Sequence, residues 1–147
     1  MRATVAALTA LALASPAVAR AQAQVSRWEL QVQRQLDRAN TFLTGRGYAL
    51  THDIRTGELR DHDAESFTLE LQGGHTYAVL GVCDADCMDI DLRLFDQDGD
   101  EVDADIETTY YPIVEVRPVH TAQFRVHVMM ATCQTSPCRY GVGVFGK

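Results

Sequence analysis

The sequence has almost no lysine, and its basic side chains are nearly all arginine. Its 13 basic residues include a single lysine, Lys147, so a catalytic lysine is effectively excluded. The 20 acidic residues outnumber the basic ones and give a formal charge of −7. Nucleic-acid-binding proteins carry the opposite balance, so this composition argues against nucleic acid as a partner.

Catalytic motifs are missing as well. The chain contains no G-x-S-x-G, H-E-x-x-H or P-loop pattern. Its five histidines are scattered, without the i+2 or i+4 spacing of a typical metal pair. Because acids are abundant, a small hydrolase with paired carboxylates is kept as an alternative. The sequence otherwise favours a non-catalytic protein, and it predicts no cofactor beyond a candidate calcium ion.

Long apolar runs are confined to the beginning of the chain. A positive start at Met1 and Arg2 is followed by the uncharged stretch Ala3–Ala14, which is typical of a secretory signal peptide. We assign residues 1–23 to this signal, with cleavage near Ala21 or Ala23. A membrane span needs about 20 apolar residues, and no second candidate follows. We therefore expect a periplasmic or secreted protein with no transmembrane segment after cleavage.

The segment 24–47 predicts one amphipathic helix. Ser26 and Glu29 have the spacing of a capping box, and Gly45 and Gly47 are typical helix stops. Apolar residues recur between them at steps of three and four: Trp28, Val32, Leu36, Ala39 and Leu43. We expect this face to pack on its own domain, because the polar face mixes arginine, aspartate and glutamine. A partner-binding or membrane-surface helix is the alternative.

After Tyr48 the hydrophobic pattern changes to a period of two, which is typical of half-buried strands. The strand candidates are Phe67–Leu71, Tyr77–Val82, Ile90–Leu94, Pro112–Val116, Phe124–Met130 and Arg139–Phe145, with weaker ones at Tyr48–Ile54 and Glu101–Ile106. Turn signals are Thr56-Gly57, Gln72-Gly73-Gly74, Asp98-Gly99 and Ser136-Pro137. Gly141 and Gly143 leave one strand face bare, which predicts close approach by a neighbour.

These elements predict a mainly β fold. The expected architecture is an antiparallel β-sandwich of jelly-roll type, with seven or eight strands over residues 48–147 and one N-terminal α-helix. The 147 residues suit a single globular domain of this kind.

Four cysteines in an exported chain predict two disulfides, because the compartment is oxidising. Three connectivities are open, and we favour the local pairs Cys83 with Cys87 and Cys133 with Cys138. Each pair lies where a strand meets a loop, so it requires no assumption about the fold. The chain-entropy model gives about 2 kcal/mol for each short ring and roughly 4 kcal/mol for a long-range link. A zinc site is the alternative, although the usual C-x2-C spacing is absent.

An acidic segment runs from Asp84 to Glu107, with eleven acids against one base, Arg93. Carboxylate oxygens in loops are typical Ca²⁺ ligands, so this segment is a candidate calcium site. The candidate ligands are Asp84, Asp86, Asp89, Asp96, Asp98 and Asp100. The loop after Asp96 departs from an EF-hand, because Glu101 stands where that loop needs glycine. The alternative is a hairpin turn at Asp98-Gly99 with acids facing solvent.

Two adjacent aromatic residues form a second candidate site. Tyr110 and Tyr111 lie beside the acidic segment, and a glycan-binding protein is expected to expose aromatics on one face. We therefore treat both as candidate ligand-binding residues. The expected function is a binding or accessory module whose partner is a protein or polysaccharide of the cell envelope. A calcium-dependent adhesion module and a structural envelope protein are alternatives.

Three stretches, 71–77, 89–99 and 124–128, together resemble a known module. In order they read Leu-Gln-Gly-Gly-His-Thr-Tyr, Asp-Ile-Asp-Leu-Arg-Leu-Phe-Asp-Gln-Asp-Gly and Phe-Arg-Val-His-Val. This order resembles the bacterial pre-peptidase C-terminal domain over Glu65–Phe145, although Ala122-Gln123 stands where the family has glycine. The resemblance implies a β-sandwich that assists exported enzymes, with calcium or substrate binding in some members. The cysteine pairs and the N-terminal helix lie outside that pattern.

Overall fold

The computed structural model describes residues 26–147. The predicted signal peptide, residues 1–23, and its cleavage site therefore lie outside the described residues. From residue 26 onward the chain forms one helix and nine strands, and no helix among these residues combines the length and apolar character needed to cross a membrane.

Helix α1 spans Arg27–Thr44 and begins as predicted. The Ser26 backbone N–H donates to Glu29 Oε2 at 2.6 Å, and the Glu29 N–H donates to Ser26 Oγ at 3.2 Å. This bond to the Ser26 N–H lowers the pKa of Glu29. Gly45 is the C-cap. The capping box and the helix stop are confirmed.

The strands occupy most of the remaining chain. Their bounds are β1 Ala49–Leu50, β2 Arg55–Leu59, β3 Ala64–Leu71, β4 Tyr77–Cys83, β5 Cys87–Phe95, β6 Glu101–Asp105, β7 Ile113–Val116, β8 Ala122–Cys133 and β9 Cys138–Gly146. They form two antiparallel sheets. The five-stranded sheet contains β1, β2, β9, β4 and β7, and the four-stranded sheet has the order β3-β8-β5-β6.

The strand pairing has a nested order. β2 pairs with β9, β3 with β8, β4 with β7, and β5 with β6, all antiparallel. A long hairpin wrapped into two facing sheets has this order, which is the jelly-roll arrangement. The predicted β-sandwich with one helix is confirmed.

One turn prediction is wrong. Thr56 and Gly57 lie inside β2, where they pair with Gly141 and Tyr140. A Cβ atom on Gly57 would lie 2.8 Å from the Tyr140 ring, so this glycine makes room for the ring and does not turn the chain. The turn comes later, with His62 at φ 65°, and β2 becomes a ninth strand that the sequence did not predict.

The larger hydrophobic core lies between the two sheets and takes alternate residues from both. A second core lies between α1 and the outer face of the five-stranded sheet, where Val32 and Leu36 pack on β4 and β9. Cβ atoms on Gly141 would lie 2.8 Å from side-chain carbons of both residues, and one on Gly143 would lie 2.8 Å from the Phe145 ring. The predicted close approach over the glycines is confirmed, and the molecule has three layers.

Candidate functional site

Both disulfides lie at the same end of the sandwich. Cys83 is bonded to Cys87 and Cys133 to Cys138, each with a Cα–Cα distance of 5.9 Å, so the favoured local connectivity is confirmed. The first bond joins β4 to β5 and the second joins β8 to β9, which means that each connects one sheet to the other. Cys87 and Cys133 are also direct partners in the β5–β8 pairing. The two rings are therefore neighbouring links between the sheets.

Two of the three candidate calcium ligands at this end, Asp84 and Asp89, accept hydrogen bonds from the backbone. Asp84 is only 3% exposed, and its carboxylate accepts the N–H of Asp86 at 3.3 Å and that of Arg139 at 2.9 Å. Asp89 accepts the N–H of Thr109 at 3.1 Å. Carboxylates that accept backbone N–H groups satisfy the donors of irregular segments, and here they hold the loops of the disulfide end.

The other candidate ligands lie at the opposite end of β5. Asp96 accepts the N–H of Asp98 at 3.0 Å and that of Asp100 at 2.9 Å, and Gly99 has a φ of 90°. This is the hairpin turn predicted at Asp98-Gly99. Asp89 in β5 and Asp96 directly after it are seven residues apart, which separates them by roughly 20 to 25 Å, so the six acids do not form one site. Within 26–147, no three metal-ligating side chains converge.

Further along the acidic segment, two carboxylates close one open edge between the sheets. Asp103 on β6 accepts the N–H of Glu115 at 2.7 Å, and Asp105 accepts the N–H of Ile113 at 2.9 Å. β6 and β7 belong to different sheets, so these side chains satisfy donors on an edge strand. Many of the acids that suggested a cation site thus serve as backbone acceptors.

The opposite edge is closed by a network around the buried ring of Tyr140. Glu65 on β3 accepts the Arg55 Nε–H at 3.1 Å and the phenol of Tyr140, which is fully buried on β9. Burial raises the pKa of Tyr140, and the bond to Glu65 adds to this shift, so the phenol stays protonated. The bond to Glu65 also raises the pKa of Arg55. This network links the two sheets where β2 and β3 diverge.

Ser66, His127 and Asp91 lie on the outer face of the four-stranded sheet. Ser66 Oγ is 2.9 Å from His127 Nδ1, and burial, reinforced by Arg125, lowers the pKa of this histidine. Burial raises the pKa of Asp91, and its Oδ1 is buried without a hydrogen-bond partner in the described chain. A serine triad needs the acid to hold the histidine. Among residues 26–147 there is no hydrogen bond between Asp91 and His127, so these three side chains do not have the geometry of a serine triad.

Of the two candidate tyrosines, Tyr111 lines a cleft and Tyr110 lies beside it. Their rings contact each other with centroids 4.7 Å apart, and both are exposed, Tyr110 by 51% and Tyr111 by 43%. Tyr111 forms one wall of a cleft of about 430 Å³ beside α1. The cleft is lined by Arg27, Trp28, Gln31, Arg34, Gln35, Arg38 and Tyr111. We call it the α1–Tyr111 cleft.

Two glutamines attach the helix side of this cleft to the disulfide end. Gln35 Nε2 donates to the Cys83 carbonyl at 2.7 Å, and Gln31 Oε1 accepts the Ala85 N–H at 3.1 Å. Gln35 is 8% exposed, and its Oε1 is buried without a hydrogen-bond partner in the described chain. The disulfide loop therefore positions the helix side of the cleft. Among the lining residues of the cleft, Gln35 has a hydrogen-bond acceptor that no group in the described chain uses.

The cleft is positively charged on an acidic protein. None of its seven lining residues is acidic. Within the described chain, its three arginines form no ion pair, whereas the carboxylate-paired arginines lie elsewhere: Arg55, Arg93 and Arg139. The guanidinium of Arg27 stacks on the Trp28 ring, 3.9 Å from its centroid.

Sequence reasoning missed most of this cleft. The positions Arg27, Arg34 and Arg38 follow the i, i+7, i+11 spacing of one helix face, which a helical projection shows directly. Glu29 falls on the opposite side of the same projection and Asp37 beside the arginine row, so averaging over the whole polar face concealed the pattern. Trp28 was assigned to the buried face, but the structure leaves it half-exposed at the edge of that face.

No family model matches the chain, and no curated protein matches it at a significant level. The fold and the site define its class by themselves. It is a two-sheet jelly-roll sandwich with one covering helix, two disulfides between the sheets and an arginine-rich cleft.

Proposed function

We propose that the protein is an exported, non-catalytic binding or accessory module whose ligand occupies the α1–Tyr111 cleft. The supporting observation is a cleft with two aromatic side chains and three arginines that form no ion pair in the described chain. Such exposed, unpaired groups contribute little to stability, so ligand binding gives them a physical role. Resemblance to the pre-peptidase C-terminal domain agrees with an accessory role and stays a hypothesis.

The proposed location is the periplasm or the extracellular space. Two disulfides are compatible with an oxidising compartment, and the leader pattern at residues 1–23 supports export. Native mass spectrometry of the exported product tests this part. We expect a chain that begins after Ala21 or Ala23 and lacks four hydrogens, whereas an uncleaved, reduced chain would contradict export.

Trp28 gives a direct test of the binding site, because it is the only tryptophan and lies in the cleft. Adding soluble cell-envelope polysaccharides, neutral and acidic fractions separately, should change its emission in a saturable way. Tyr111→Ala should weaken this response. Phe42→Ala is the control, because Phe42 is an exposed aromatic residue of α1 outside the cleft lining. Unchanged emission with every fraction would rule out the cleft as a site for such ligands.

A further inference from the structure

We propose that the α1–Tyr111 cleft binds an acidic glycan, with its arginines on sugar carboxylates and its aromatic rings against the pyranose faces. This inference rests on the proposed binding function and names the ligand class. It follows from three observations: the charge of the cleft, the length of its arginine row, and the unused acceptor on Gln35.

The positive charge of the cleft favours an anionic ligand. Its arginines lie on a chain with a formal charge of −7, yet no lining residue is acidic. Arg34 and Arg38 are four residues apart, and like charges at this spacing destabilise a helix. Guanidinium groups bind carboxylates through paired hydrogen bonds, so a bound anion removes this repulsion.

The length of the arginine row indicates a polymer. Arg27 and Arg38 are eleven residues apart on one helix, which places their Cα atoms roughly 16 Å from each other. A small anion would contact one end of this row. A chain with a carboxylate on each repeating unit would contact several arginines at once, and each added contact raises the overall affinity.

The aromatic side chains of the cleft distinguish a glycan from an acidic polypeptide. Tyr111 offers a flat apolar surface with a polar tip, which suits the C–H face of a pyranose ring. Trp28 offers a second such surface when the Arg27 guanidinium, which stacks on it in the structure, moves to a sugar carboxylate. Gln35 Oε1 is a buried acceptor without a partner in the described chain, and arginine side chains are donors only. A uronic-acid polymer supplies carboxylates, hydroxyl donors and flat pyranose faces together, whereas an acidic polypeptide supplies carboxylates and backbone N–H donors without such faces.

The first arm of the test compares ligands of matched structure. Trp28 emission is followed during titration with oligogalacturonate, with its methyl-esterified form and with polyglutamate. We expect saturable binding of the free acid, weakened by added salt, and at least about tenfold weaker binding of the other two. Equal binding of the ester would overturn the carboxylate contact, and preferred binding of polyglutamate would assign the cleft to acidic proteins instead.

The second arm compares two charge-matched variants. The cleft variant is Arg27→Gln, Arg34→Gln and Arg38→Gln. The control variant is Arg46→Gln, Arg60→Gln and Arg117→Gln, at exposed arginines outside the cleft lining. We expect the cleft variant to bind oligogalacturonate at least about tenfold more weakly, with unchanged or slightly raised stability, and the control to bind like the wild type.

The outcomes separate this inference from the proposed function. Binding of a neutral polysaccharide alone, lost in Tyr111→Ala, would overturn the acidic-glycan inference and leave the binding module intact. Equal loss of oligogalacturonate binding in the cleft and control variants would show that net charge, and not the cleft, attracts the polymer. No Trp28 response to any ligand would overturn both proposals.

Discussion

At the residue scale, two close contacts explain side chains that look ordinary in the sequence. Gly141 has no side chain because Val32 and Leu36 occupy the space above it. Tyr140 is an aromatic residue in an apolar core, yet its phenol donates to Glu65 at the edge of the sandwich. Each contact joins elements that are distant in the chain.

Gly141→Ala should destabilise the fold by about 1 to 3 kcal/mol, because the new Cβ would lie 2.8 Å from buried side chains of α1. Urea unfolding measures the change. Gly45→Ala is the control, since its Cβ would find its nearest atom at 3.5 Å. Similar unfolding midpoints for both variants would contradict the tight helix–sheet contact.

Tyr140→Phe should lower the free energy of unfolding by about 1 to 3 kcal/mol at neutral pH, because it removes a buried donor to a carboxylate. The raised pKa of Tyr140 makes this difference pH-dependent. Its stabilising effect is complete below the ordinary tyrosine pKa of 10.0 and is lost as the pH rises above it, because the unfolded phenol then ionises first.

The pH dependence is measured by urea unfolding of both proteins between pH 7 and 11. The wild type should lose its advantage over Tyr140→Phe above about pH 10. Tyr110→Phe, at an exposed ring, is the control and should follow the wild type. A constant difference in the free energy of unfolding between pH 7 and 11 would mean that folding does not raise the pKa of Tyr140.

At the element scale, α1 has two faces with different tasks. One face buries Val32, Leu36 and Leu43 on the five-stranded sheet. The adjoining face presents the arginines of the α1–Tyr111 cleft. The position of the cleft thus depends on correct formation of the first helical turn, which Ser26 caps.

Ser26→Ala should destabilise the protein by about 1 kcal/mol, because the Glu29 N–H loses its acceptor at the helix start. Thermal unfolding with circular dichroism measures the effect. Ser26→Asp keeps an acceptor at the same position and should restore most of the stability. If both variants unfold at the wild-type temperature, the Ser26 cap does not contribute to the stability of the protein.

At the scale of the whole molecule, the sheets are connected at three places. Two disulfides connect them at one end, Asp103 and Asp105 connect one open edge, and the network around Glu65 connects the other. A sandwich has edges that its own ladders leave unpaired, so polar side chains complete them. This explains why so acidic a segment belongs to a compact fold.

Removing either disulfide by paired Cys→Ser substitution should cost about 2 kcal/mol. Because Cys87 and Cys133 are neighbours in the pairing, the two losses should not be additive, and removing both should leave the sheets free to separate at that end. A double-mutant cycle by urea unfolding measures this coupling. Strict additivity would indicate two independent loop rings.

Calcium should leave the melting temperature unchanged, because Asp84, Asp89 and Asp96 already accept backbone N–H groups. Calorimetric melting in millimolar CaCl₂ and in EDTA measures this. A higher melting temperature in calcium would support the calcium site that the acidic segment suggested, because a ligand that binds only the folded state stabilises it.

The local patterns of the sequence determined the helix with its cap, eight of the nine strands, the sandwich class and the short cysteine pairs. These features depend on periodicity and on neighbours within a few residues, which a sequence displays directly. Tertiary structure alone decided that Thr56-Gly57 is strand, that the acids cap edges, and that Tyr111 meets the arginines of α1. The strand at Thr56-Gly57 and the cleft depend on contacts between segments more than 70 residues apart in the chain. The acid contacts span only 8 and 12 residues, but they join strands of different sheets, which no local pattern displays.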